Sequence, residues 1–102
     1  MNQERYDEIE SKLQVLADKI EKKKDNFSEL EKLLDEFIML SEEQDKIQPY
    51  SFVKKKKIQA VKTMRKVVFD INDLKIRNRI IYERKKNQVR VMLSNLSKKW
   101  RK

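Results

Sequence analysis

The chain of 102 residues contains no cysteine, no histidine and no glycine, and it has one proline. Without cysteine there can be no disulfide, thiolate metal ligand or thiol nucleophile. Lack of histidine removes the commonest general base and the commonest zinc ligand. Sheets with tight turns need glycine and proline as punctuation, so their scarcity predicts an all-α fold. A glycine-rich phosphate loop is excluded on the same ground. No apolar run approaches the roughly 18 residues that a membrane span needs. The start, Met-Asn-Gln-Glu-Arg-Tyr-Asp-Glu, lacks the apolar region of a signal peptide. A reducing location is expected, cytoplasmic or else nucleoid-associated or virion-internal. Lysine (19) far outnumbers arginine (7), and isoleucine and asparagine are plentiful, which suggests an AT-rich bacterial, phage or viral genome.

Charge is what the chain has in abundance. Charged residues make up 42%, apolar residues 38%, and the formal net charge is +9. The excess is uneven. Residues 1–48 hold 8 bases and 14 acids, a net of −6, whereas residues 49–102 hold 18 bases and 3 acids, a net of +15. Such asymmetry points to an acidic partner for the second half, to pairing between the halves, or to both.

The first half carries a heptad pattern. With Tyr6 at position a, the a series runs Tyr6, Leu13, Ile20, Phe27, Leu34, and the d series runs Ile9, Leu16, Lys23, Leu30, Phe37. Nine of these ten positions are apolar, Lys23 being the exception, and a 3.5-residue repeat favours coiled-coil packing. Glu8 with Lys12 and Asp18 with Lys22 have the spacing of helical ion pairs. Ser28 and Glu31 have capping-box spacing, but the heptad phase passes through them unbroken. One helix over about 3–46 is expected, about 65 Å long. Leu33, Ile38, Met39 and Leu40 broaden the apolar stripe near its end, and Glu42, Glu43 and Asp45 read as a solvated helix end.

Pro49 interrupts the pattern, and Ser51 is a plausible N-cap for the next helix. A connector over about 47–51 favours antiparallel packing of its flanks. A second helix is expected over about 52–98, with a basic tail over 98–102. At 100° per residue, Met64, Val67, Val68, Ile71, Leu74, Ile81, Tyr82, Val89, Met92, Leu93, Leu96 and Trp100 gather on one side. Ile58, Phe69, Ile76, Ile80 and Val91 fall among the bases opposite. Either the helix breaks and changes phase over about 73–79, or a second face is buried. A lone two-helix hairpin has little core, so the second is favoured. The expected fold is therefore one all-α domain, a long antiparallel helical hairpin assembling as a homodimer into a helical bundle.

Catalysis is not expected from this residue set, and neither is a cofactor. A metal site at Asp70 and Asp73 would need more oxygen ligands than lie nearby. The function expected is nucleic-acid binding through phosphate contacts, without base reading. Its candidate residues are Lys54, Lys55, Lys56 and Lys57, then Lys62, Arg65 and Lys66, then Arg77, Arg79, Arg84 and Arg90. No zinc ligands, helix-turn-helix pattern or RNA-binding aromatic motif is present. The alternative is an adaptor, scaffold or inhibitor that meets an acidic protein surface through Ile58, Phe69, Ile76, Ile80 and Val91. Trp100 among the terminal bases reads as a cap over the bundle end.

Overall fold

Among the described residues four helices form where the periodicity predicts two. They are α1 (Gln3–Lys22), α2 (Phe27–Ile47), α3 (Phe52–Asn72) and α4 (Arg79–Trp100). The computed structural model describes residues 2–23, 26–73 and 78–100, the last five of these by backbone alone.

Each helix begins at a side chain that satisfies an otherwise orphaned backbone N–H. Asn2 Oδ1 accepts from Arg5 N at 3.0 Å, and Asn26 Oδ1 from Glu29 N at 3.2 Å. Ser51 Oγ accepts from Lys54 N at 3.2 Å, as its position after Pro49 predicts. Asn78 Oδ1 accepts from Ile80 N at 2.9 Å and from Ile81 N. The expected continuous helix over 3–46 is thus replaced by two. Asn26, rather than Ser28, starts the second, and Lys23, the one polar seam residue, ends the first. The expected helix over 52–98 is likewise two, interrupted after Asn72.

Consecutive helices run antiparallel. Arg5 near the start of α1 bonds Glu43 near the end of α2, and Lys23 just past α1 pairs with Glu29 in the first turn of α2. Lys54 at the start of α3 reaches Gln44, while Asn72 at its end reaches the Phe27 carbonyl. α3 packs on α4 in turn, and α4 closes the ring against α1. The bundle measures 49 × 24 × 22 Å, short of the rod that one continuous helix would make.

Seven of the ten seam residues (Ile9, Leu13, Leu16, Ile20, Leu30, Leu34 and Phe37) are buried. The heptad stripe folds back and buries itself across α1 and α2. Val61, Met64, Val67, Val68 and Ile71 of α3 complete the core with Val89 and Leu93 of α4. Full burial of one such side chain contributes about 1.5–3 kcal/mol. Ile58, expected among the bases, lies in this core at 7% exposure, because α3 has neighbours on two sides and buries a wide arc. Ile81, expected inside, is exposed, as is Met39, while Leu40 is buried. Leu74 and Ile76 fall outside the described residues, as do the side chains of Leu96 and Trp100. Among the described residues the four helices share one core within the chain, which buries Ile58 without a second copy.

Candidate electropositive interface

The ring order sorts charge by helix. α1 carries six acids and four bases, and α2 carries seven acids and two bases. α3 and α4 each carry seven bases and one acid, Asp70 and Glu83 respectively. The two acidic helices are adjacent and the two basic helices are adjacent. The bundle therefore has one acidic half and one basic half.

The flank of α3 that meets α2 is largely neutralised. Lys62 Nζ lies 3.4 Å from Glu42, and the Arg65 guanidinium donates to both oxygens of Asp35. That hydrogen bond holds the Arg65 pKa above its usual value. Arg65 also lies over the Phe69 ring, 5.6 Å from its centroid. Exposed pairs of this kind contribute little stability, about 0–1 kcal/mol, so their bases stay available to a stronger anion.

Lys54 has a different position. Its ammonium lies 4.5 Å from the Tyr50 ring centre and 3.6 Å from Glu10, and it donates to Gln44 Oε1 at 3.4 Å. Gln44 and Ser41 are fully buried, whereas Glu42 is exposed and Glu43 and Asp45 are half-buried, so the polar end of α2 is solvated on one side only. Gln44 Nε2 donates to Glu10 at 2.8 Å and to the Tyr6 carbonyl, and its oxygen accepts from the Tyr50 hydroxyl. Burial pushes the Tyr50 phenol up, the largest of several influences on it. Lys54 belongs to this internal clasp, which pins the connector after α2, and is set apart from the other candidate bases.

Lys55 and Lys66 are exposed on α3, eleven residues apart and so on one side of the helix about 16 Å from each other. Arg79 and Arg90 repeat that spacing on α4, with exposed Arg84 between them. Among the described residues Lys55, Lys66, Arg79 and Arg84 have no carboxylate partner. Lys56 is exposed over the Phe52 ring, Lys57 is half-buried, and Arg77 lies outside the described residues. Of the apolar residues expected at a partner surface, Ile80 is 66% exposed, Val91 61% and Phe69 37%. Ile80 and Val91 share the eleven-residue spacing, which aligns them beside Arg79 and Arg90.

Sequence reasoning did not single out Phe52 and Val53, both exposed at the start of α3. They form one wall of an apolar groove of about 480 Å³ between the first half of α3 and the second half of α4. Two bulky apolar residues directly after an N-cap were the available cue. Among the described residues no three acids cluster as a metal site requires, and no helix is long and apolar enough to cross a membrane. No family model, curated protein or solved structure matches the chain.

Proposed function

We propose that the chain is a non-enzymatic nucleic-acid-binding protein whose exposed bases on α3 and α4 hold phosphates with little sequence selectivity. The observation that carries this reading is the sorting of charge into halves, which leaves Lys55, Lys66, Arg79 and Arg84 without carboxylate partners among the described residues. A second feature supports it. Lys55 lies in the first turn of α3 and Arg79 is the first residue of α4, and neither first turn contains an acid. Cations at a helix N-terminus oppose the helix dipole. Folding gains nothing from that placement, whereas a bound polyanion would offset it. Phosphate contacts from lysine and arginine supply affinity through counterion release and carry no base information.

The test is a salt titration of binding to generic duplex and single-stranded DNA and RNA. Affinity should fall linearly with salt on logarithmic axes. Replacing Lys55, Lys66, Arg79 and Arg84 by alanine should flatten the duplex slope by about 3–4, near 0.9 per lost phosphate contact. No binding of any of these at low salt overturns the reading. The exposed Phe69, Ile80 and Val91 favour a second reading, an adaptor that meets an acidic protein surface.

A further inference from the structure

We infer that the groove between the start of α3 and the end of α4 docks an acidic amphipathic helix from a partner protein. This makes the adaptor reading specific; it shares only Lys55 with the phosphate reading and otherwise rests on other residues.

The groove has the form such a helix needs. Val61 and Met64 are buried at its floor beside half-buried Met92, and Phe52 and Val53, 73% and 63% exposed, stand at its wall. Ala60 contributes only a methyl group, which leaves a hollow in mid-groove. From Phe52 to Met64 the trough follows α3 for about 18 Å, the length of about three helical turns. An apolar face with anchors spaced i, i+4, i+7 would fill it.

Charge fixes the flanks of the occupant. Lys56 and Lys57 line the groove and Lys55 is exposed on the adjacent turn, and no acid occurs in α3 before Asp70. A basic helix would be repelled, and an acidic one attracted. The chain already contains one such pairing. On its other flank α3 holds the acidic helix α2, which buries Leu34 and Phe37 in the core and places Asp35 and Glu42 against Arg65 and Lys62. The groove offers the same combination of apolar floor and basic rim to a helix in trans. Nucleic acid would leave the walls at Phe52 and Val53 in water. Two copies meeting through this face would bring together helices that each carry seven bases and one acid.

The probe is a fluorescein-labelled helical peptide of about 21 residues with leucines at i, i+4, i+7 spacing and glutamates flanking them, paired with a version carrying lysine for glutamate. Polarisation against the full chain should show binding of the glutamate peptide only, weakening with salt. Ala60→Trp, which fills the hollow, should weaken it at least about tenfold, as should Lys56→Glu. Duplex DNA affinity should be unchanged by Ala60→Trp. Equal binding of both peptides overturns the inference, as does full affinity in the variants. Two other results also overturn it: a parallel loss of DNA binding in Ala60→Trp, or a dimer by light scattering that Ala60→Trp dissociates. Circular dichroism checks folding, and if Ala60→Trp unfolds, the surface variant Lys56→Glu decides. A chain that binds the peptide but not DNA would retain this site and lose the phosphate reading.

Discussion

Gln44 shows at the scale of one residue how a polar side chain can hold a fold. It is fully buried, its amide donating to Glu10 and the Tyr6 carbonyl and accepting from Tyr50 and Lys54. Gln44→Ala strands several of those groups at once, and a buried group left unpaired costs about 1–3 kcal/mol. Urea denaturation should show a loss of about 2–4 kcal/mol; less than about 1 kcal/mol would mean that water replaces the amide without penalty. Tyr50 beside it gives a pH signature. Its folded pKa is raised by burial, so the stability it contributes is complete below the unfolded value of about 10 and falls as pH rises beyond it. Tyrosinate absorbance should show a phenol ionising late in the native chain, and Tyr50→Phe should remove that late step. The clasp was not legible in the sequence. Glu42-Glu43-Gln44-Asp45 has the composition of a solvated end, and it is α1 on one side and the return of Tyr50 on the other that make Gln44 interior.

At the scale of the helix, asparagine decided what glycine and proline could not. The heptad stripe of α1 and α2 keeps one phase from Tyr6 to Phe37, so it predicts the buried residues correctly and the helix count wrongly. Ile20 and Phe27 are seven residues apart whether the chain continues or turns. Asn26 with Glu29 marks the turn, and Asn78 with Ile80 and Ile81 marks the next. Asn26→Ala and Asn78→Ala should each lower stability by about 1 kcal/mol, and roughly additively, because the two caps share no partner. Thermal melts of the single and double variants would check this, and an unchanged melting temperature in Asn26→Ala would remove that cap's assigned role. The α1–α2 pair also predicts acid sensitivity. Arg5 holds the Glu43 carboxyl below its usual range, chiefly through their hydrogen bond, and Lys12 does the same to Glu8. A lowered folded pKa means stability that is present above about pH 4.3 and lost as pH falls through the folded value. Arg5→Met should flatten the acid limb of a stability-versus-pH curve.

The whole molecule separates what folding uses from what it leaves over. Clasp and core lie in the contacts between helices and the caps in each helix's own first turn, whereas Lys55, Lys66, Arg79 and Arg84 are exposed outside them. Their combined replacement by alanine should change unfolding free energy by no more than about 0.5 kcal/mol per site, even where polyanion affinity falls steeply. A cooperative loss of folding in that variant would instead make the basic half structural. The phosphate candidates were partly legible because a run such as residues 54–57 cannot hide every charge on a helix. That Lys54 would turn inward and Lys62 and Arg65 would meet α2 was not, since ion-pair partners depend on which helix arrives beside them.

The sequence by itself determined that this chain is helical, that its first half buries a heptad stripe and that its second half carries the excess positive charge. Composition and periodicity are local properties, and each of those outcomes follows from them. Only the tertiary structure decided that the stripe closes upon itself within one chain, that Ile58 and Gln44 lie inside, and that Phe52 and Val53 flank an open groove. A period of 3.5 or 3.6 residues states which side of a helix seeks burial but not which neighbour supplies it. That choice was made by four asparagine and serine caps and by the ring of helices they begin.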